Sequence, residues 1–506
     1  MLLYNNIGLF YLTETDIIKL MSLTRKVAFN TVVQIIGKGT TTVISLFLVA
    51  ALTRYLGVAG YGEYTTIFAY LAFFGVLADF GFFWILVREI AKPDVDVNKA
   101  VSNILTLRTV VGVVIFGLGY LISFFIPQYS SIQSGIGIAA FSMLFLALNS
   151  TYVGVFQNKL RMDKATITDV VGRIIILIFT LFLIKQGYGL TMILWAYAIG
   201  NIVNLLLSAW LGRAYVKFRP AFDWAYWKQV IVQAWPMAVV LVLNLIYFRI
   251  DTLMLSLLKT STDVGIYGPP YKVLEMILLL PSMFMGNIFP IMSRYIHTGD
   301  DRLRTTLQKS FDFLLMLALP VAILIIYAAE PIIRIVAGQD FVVAQTVPPV
   351  FGLASTSVLA LQILIIAVCF SFLSIIFNYL VIALGKQAKL IWPNLIFVIF
   401  NLGLNWLLIP HFSYIGAALV TVLTEAIVLI FTWRIAYANM STRLNFQILW
   451  KALLAGLVMG LFLIFIGSGV NWVLMCALAC MIYVLILWFS RAINKDMFLV
   501  LFKRGE

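Results

Sequence analysis

The chain of 506 residues is 63% hydrophobic and only 11% charged, with a mean hydropathy of +1.03 and a formal net charge of +14. That balance excludes a soluble globular enzyme. Its repeated apolar runs near 20 residues lack the alternation of barrel strands, so they are membrane-spanning helices. The positive charge does not indicate nucleic acid, because the basic residues fall between the apolar runs, where membrane insertion places them.

In chain order, residues 1–20 stand apart. No basic residue precedes Lys19, as a signal peptide would require, and Met21 to Lys26 is a more typical lead into a first span. Residues 1–20 read either as a dispensable extension or as a short interfacial helix. Fourteen spans follow, at about 27–52, 63–86, 107–126, 135–157, 167–185, 190–211, 230–258, 265–291, 311–329, 359–385, 389–410, 414–436, 449–467 and 470–490. The expected fold is all-α and polytopic. After a cytoplasmic segment 1–26 come an N-lobe of six spans (27–211), a cytoplasmic linker (212–229), a C-lobe of six spans (230–436), two further spans (449–490) and a cytoplasmic tail (491–506).

Basic residues orient these spans. Assigning the N-terminus and every second loop to the cytoplasm places 27 of the 35 Lys and Arg inside, with Arg108 counted at a span end. Four lie outside: Arg54, Lys185, Lys259 and Arg334. The asymmetry predicts a plasma-membrane protein with both ends cytoplasmic. A faint repeat agrees: Gly62-Glu63-Tyr64 opens span 2 as Gly265-Ile266-Tyr267 opens span 8, and Leu181-Phe182-Leu183-Ile184 closes span 5 as Trp406-Leu407-Leu408-Ile409 closes span 11. Six spans per half is even, so the pseudo-symmetric halves run in the same direction.

Polar residues inside spans are the functional candidates. Asn30, Gln34, Lys38, Thr41 and Ser45 fall on one face of span 1 by steps of three and four. Lys38 lies too deep to snorkel easily, which favours a cavity-lining stripe over polar packing. Asp79 and Arg173 each lie about two turns from the inner face, within reach of water and suited to structural roles. Arg249 and Asp251 interrupt span 7. At about 100° per residue they point roughly 200° apart and cannot neutralise each other. Across the hairpin, Lys272 matches the depth of Asp251, and Glu275 that of Arg249. Lys272 and Glu275 share a sector of span 8, so at most one pair is direct; the expected pair is Asp251 with Lys272, leaving Arg249 to the cavity. A purely structural ion-pair network fits the same placement. Of the ridge Tyr267, Tyr271 and Glu275, Tyr267 is expected in the interfacial belt and Tyr271 as a cavity residue able to stack on sugar. Asn401 and Asn405 are expected to hydrogen-bond between helices, and Glu425, in the middle of span 12, is a candidate proton or cation site.

Catalytic motifs are missing. Cys369, Cys476 and Cys480 lie in apolar runs and suggest no disulfide framework, and His297 and His411 lack metal-ligand neighbours. Neither a phosphate-binding loop, nor a dinucleotide fingerprint, nor a nucleophile–base constellation is present. No enzyme activity, cofactor or metal is expected. Energy coupling would draw on H+ or Na+, the membrane potential or a downhill substrate.

Several stretches carry a family resemblance: Ala51-Leu52-Thr53-Arg54-Tyr55-Leu56-Gly57 with Gly60-Tyr61-Gly62, Asp79-Phe80-Gly81, Arg249-Ile250-Asp251 with Leu253-Met254-Leu255, Val264 to Tyr267 with Tyr271 and Glu275, and Asn405 with Leu408-Ile409-Pro410 and Gly416-Ala417-Ala418. Over residues 22 to about 437 the chain resembles Wzx-type polysaccharide flippases of the superfamily that also holds MATE exporters and lipid II flippases. Ser413 departs from the glycine usual before Gly416. The resemblance implies a two-lobed bundle working by alternating access. Its implied substrate is a polyprenyl-diphosphate-linked oligosaccharide, moved to the outer leaflet for polysaccharide biosynthesis. Basic side chains can hold phosphate oxygens, yet span-embedded acids (Asp79, Asp251, Glu275, Glu425) equal the bases (Lys38, Arg173, Arg249, Lys272). A MATE-like exporter of organic cations, a lipid II-type flippase, or a scaffold with its charges fully paired remain competing readings. Oligomeric state is not legible.

Overall fold

The computed structural model describes residues 14–298, 300, 302–350, 352–438, 444–466 and 471–492. Residues 1–13 and most of the expected tail lie outside them. Among the described residues there are fifteen α-helices, and the only β pairing is an isolated bridge, Val350 with Leu353. Twelve helical stretches among the described residues are long and apolar enough to cross a membrane. Two of these, Phe29–Glu89 and Ile391–Ala438, run to 61 and 48 residues. At 1.5 Å per residue each has about two to three times the length that a bilayer needs. Each is divided near its middle by a non-helical residue, Gly57 (φ 68°) in α1 (Glu14–Asp79) and Ser413 (φ 49°) in α13 (Ile391–Ala438). Divided there, they bring the spans to fourteen.

Gly57 adopts its conformation without steric penalty; Ser413 does not. A non-glycine residue held there costs about 1–3 kcal/mol. Its hydroxyl donates to Asp263 Oδ1 at 2.5 Å, and a charge-assisted hydrogen bond returns about 1.5–3 kcal/mol. Asp263 is buried and also accepts from the Thr260 amide and the Thr346 hydroxyl. This explains how serine stands where the resembled family carries glycine. Ser413→Ala keeps the strain and loses the bond, so it should destabilise the protein by about 2 kcal/mol. Ser413→Gly loses both and should sit near the unaltered protein. Thermal unfolding in detergent compares the two.

The chain divides into two compact units, residues 1–48 with 70–242, and residues 49–69 with 243–506. The first holds α2 (Phe82–Glu89), α3 (Val97–Ser123), α4 (Gln133–Asn158), α5 (Met162–Lys185), α6 (Leu190–Gly212) and the first part of α7 (Trp224–Leu258). The expected span 63–86 is interrupted at Phe80 and Gly81, both with positive φ. The helix restarts as α2, whose Phe82, Ile85 and Leu86 pack with Ile104, Trp227 and Ala234. The segment expected as a loop before span 7 is an extended strap along α3. The amides of Lys217, Arg219, Ala221 and Asp223 donate to Asn98 Oδ1, Ser102 Oγ, Thr106 Oγ1 and Asn103 Oδ1 at 2.8–3.2 Å. Asp223 then caps α7 through the Tyr226 amide, which is why that helix starts six residues before the apolar run does. The same amide and Lys99 hold the Asp223 carboxyl below the usual carboxylate range.

In the second unit, the span expected at 265–291 is two helices, α8 (Ser261–Ile277) and α9 (Leu279–Thr298). Pro269 and Pro270 supply no amide protons, which frees carbonyls one turn earlier. The Ile266 carbonyl so released accepts from Ser357 Oγ at 2.6 Å. Beyond α10 (Arg302–Val336) and the short α11 (Gln339–Val343), Ser357 opens α12 (Ser357–Ala383), which packs against α8, α9, α10 and α13. The last two spans, α14 (Gln447–Ile466) and α15 (Trp472–Phe489), pack on α10, where the Tyr483 hydroxyl reaches the Met316 carbonyl at 3.1 Å. Gly62 and Gly265 are the points of closest backbone approach. A Cβ on Gly62 would run into the Ser261 carbonyl, and one on Gly265 into that of Val58.

Candidate functional site

The second unit holds a small, partly open cleft where α7, α8, α12 and both parts of α13 meet. Two carboxylates line it. Tyr247 and Asp251 lie one turn apart on α7, Asn401 and Asn405 one turn apart on α13, so each pair shares a face. Asp251 is 3% exposed, and its oxygens accept from Asn405 Nδ2 and Thr421 Oγ1, both at 2.6 Å. Asn405 Nδ2 also reaches Asn401 Oδ1 at 2.9 Å, and Asn401 Nδ2 reaches Thr424 Oγ1 at 3.2 Å. The expectation that the two asparagines join helices agrees with these contacts. Asn405 Oδ1 is buried without a hydrogen-bond partner. Glu425, 8% exposed, accepts from Ser371 Oγ at 2.6 Å and from the Tyr247 hydroxyl.

Among the described residues the hydrogen-bond donors to the two acids are neutral hydroxyls and amides, and no ion pair reaches either. Two buried carboxylates without a balancing cation are costly to ionise. A proton or small cation at the two carboxylates relieves that cost.

The basic candidates on this hairpin form a separate cluster. Arg249 Nη2 pairs with Glu275 Oε1 at 2.6 Å, and Lys272 Nζ with Glu275 Oε2 at 3.0 Å. This corrects the expected pairing of Asp251 with Lys272. Because Lys272 and Glu275 lie on one sector of α8, both meet Arg249, while Asp251 points round α7 to α13. The Arg249 guanidinium lies 5.7 Å from the centre of the Tyr271 ring, whose hydroxyl donates to the Phe248 carbonyl. The side chains of Arg249, Lys272 and Glu275 are 34, 35 and 26% exposed, so this cluster of net charge +1 is open to a ligand. Tyr267 is fully buried, not an interfacial belt residue, because the close contacts of Gly62 and Gly265 seal that end of α8.

The candidates of the first unit separate. Asn30 is buried and clamps the turn before α5: its Nδ2 donates to the Leu160 carbonyl at 2.7 Å and its Oδ1 accepts from the Met162 amide at 2.9 Å. It is therefore not part of a cavity stripe, although Gln34 and Lys38 are exposed. Thr41 and Ser45 bond back to their own helix. Arg173 pairs with Asp169 at 3.3 Å, one turn away, and reaches Ser45 Oγ at 3.4 Å. Asp79 pairs with Arg108 at 2.7 Å. Arg108, expected at a span end, is wholly buried, and it also donates to Ser150 and Thr151. Its depth follows from α3 starting at Val97, ten residues before the apolar run. The Asp96 side chain caps that start, bonding the Asn98 and Lys99 amides, and an aspartate before a helical run was the signal available.

A family model described as polysaccharide biosynthesis protein matches residues 23–296, more than half of the chain. The chain belongs to that family. A second model, MatE, matches residues 236–407, which hold the whole Arg249–Lys272–Glu275 cluster. Two curated relatives are similar to this chain over most of its length. A Haloferax volcanii protein named for the low-salt glycan biosynthesis flippase Agl15 is 22% identical over 74% of this chain and 76% of its own. A Shigella flexneri protein named for O-antigen transport is 20% identical over 79% and 96%. Among solved structures, the lipid II flippase MurJ in an inward closed conformation aligns with a TM-score of 0.73 at 16% identity, covering 90% of this chain and 98% of that one. An inward-facing multidrug resistance MATE family transporter aligns with a TM-score of 0.59 at 12% identity, covering 79% and 96%. At these identities the solved structures establish a shared fold.

Proposed function

We propose that this protein is a flippase. It carries a polyprenyl-diphosphate-linked oligosaccharide from the cytoplasmic to the outer leaflet by alternating access, coupled to a proton or monovalent cation. One observation carries the reading: the ligand-accessible Arg249–Lys272–Glu275 cluster lies in the same unit as the cation-deficient cleft of Asp251 and Glu425. Neither a diphosphate nor a sugar chain crosses hydrocarbon unaided. A guanidinium and an ammonium provide charge-assisted bonds to phosphate oxygens, while the buried ring of Tyr271 lies behind the guanidinium. The cleft is too small for a glycolipid and of a size for water and a small ion. The names of the curated relatives and of the MurJ neighbour support a lipid-linked saccharide as the substrate class.

A second reading, export of organic cations, is favoured by the two uncompensated acids. Transport of fluorescent lipid-linked oligosaccharide against transport of a cationic dye, in the same vesicles, separates the two readings. The proposed orientation has both termini in the cytoplasm. Reporter fusions after Thr298 and after Gly338 should report inside and outside respectively; the reverse would overturn it.

A further inference from the structure

We infer that Glu275 is an internal stand-in for substrate phosphate: it occupies the seat between Arg249 and Lys272 and gives way when the diphosphate arrives. The inference rests on the proposed reading of Arg249 as a phosphate-binding residue. One carboxylate is divided between two cations, Oε1 with the Arg249 guanidinium at 2.6 Å and Oε2 with the Lys272 ammonium at 3.0 Å. Two oxygens of one phosphate can satisfy the same pair of donors, since carboxylate and phosphate are both bidentate partners of the guanidinium fork.

Exposure distinguishes this cluster from a structural ion pair. In the first unit, Arg108 is wholly buried beneath Asp79, and no ligand can reach it. Arg249, Lys272 and Glu275 each keep about a quarter to a third of their surface open. The cations also have supports apart from Glu275. Arg249 lies by the Tyr271 ring, and the Tyr271 hydroxyl is tied to the Phe248 carbonyl. Lys272 is carried one turn before Glu275 on α8. When Glu275 swings away, a net charge of +1 becomes +2, opposite the negative charge of a diphosphate. When the substrate leaves, the carboxylate returns and competes with rebinding. A transporter gains from such a competitor, because tight binding in the resting state slows release without speeding translocation.

Binding of two probes, inorganic pyrophosphate and farnesyl diphosphate, to the purified full-length protein in detergent tests this. Glu275→Gln should raise the affinity for both by about five- to tenfold, the effect of removing one partly screened competing charge. In vesicles the same variant should turn over more slowly at saturating substrate. Glu275→Asp keeps the charge on a shorter stem and should stay close to the unaltered affinity, which guards against a folding defect in the glutamine variant. Arg249→Gln should weaken both probes. If Arg249→Gln changes nothing, the phosphate reading itself fails. If Arg249→Gln weakens binding while Glu275→Gln leaves it unchanged or weaker, Glu275 is a structural partner and this inference alone is overturned. A gain confined to farnesyl diphosphate would also overturn it, since the tail and not the diphosphate would then be sensed.

Discussion

Asp251→Asn should leave the protein folded and inserted while reducing ion-driven transport by about 100-fold or more. Asparagine has nearly the shape of aspartate. Its carbonyl oxygen can still accept from Thr421 Oγ1 or from Asn405 Nδ2, the two bonds now made at 2.6 Å. What disappears is a charge that no cation among the described residues balances. Removing such a charge from a dry site is neutral or mildly stabilising, so the unfolding temperature should hold or rise. Transport loses the attraction for the coupling ion, and about 3 kcal/mol corresponds to roughly two powers of ten in rate. The identity of the ion follows from the same assay. A protonophore stops a proton-coupled protein, and removal of Na+ stops a sodium-coupled one. Asp251→Asn should be insensitive to both. Glu425→Gln should act in the same direction, because the Ser371 and Tyr247 hydroxyls can still donate to the amide oxygen. A variant that transports normally and keeps its ion dependence would remove Asp251 from the coupling site.

Arg249→Gln should abolish delivery of glycan to the outer surface with little effect on folding. The cluster it belongs to is partly exposed, and ion pairs of that kind contribute about 0–1 kcal/mol to stability. Lys272 remains to hold Glu275. The substrate, in contrast, loses a forked donor whose phosphate bonds are about twice as strong as neutral ones. Arg249→Lys should recover only part of the activity, since a point charge cannot reproduce the fork. Lipid-linked oligosaccharide should accumulate on the cytoplasmic leaflet of cells carrying Arg249→Gln. Normal surface glycan in that variant would refute its phosphate role.

Depth along the chain was legible in the residues; direction around each helix was only partly so. Span length and charge asymmetry led to fourteen spans, and the kinks at Gly57 and Ser413 divide the two long helices as that reading needs. The matched depth of Arg249 and Glu275 was also legible, and the two form an ion pair. The partner of Asp251 was not, because it sits on α13, more than 150 positions away, and only packing brings Asn405 and Thr421 to it. Tyr267 misled for a similar reason. Its spacing suits an interface, but the glycine contact that buries it is a tertiary event. Arg108 was hidden because the apolar run starts ten residues after its helix does. In the strap, alternate amides from Lys217 to Asp223 bond to side chains of α3. No local pattern announces such bonds.

The most direct measurement of the central claim uses the purified protein in vesicles containing a fluorescent polyprenyl-diphosphate oligosaccharide, with a membrane-impermeant quencher added outside. The account predicts that an imposed H+ or Na+ gradient moves the label between leaflets. Arg249→Gln and Asp251→Asn should each abolish that movement, and a cationic dye should not be carried in its place. Gradient-driven transport of the dye with no movement of the labelled glycolipid would contradict it.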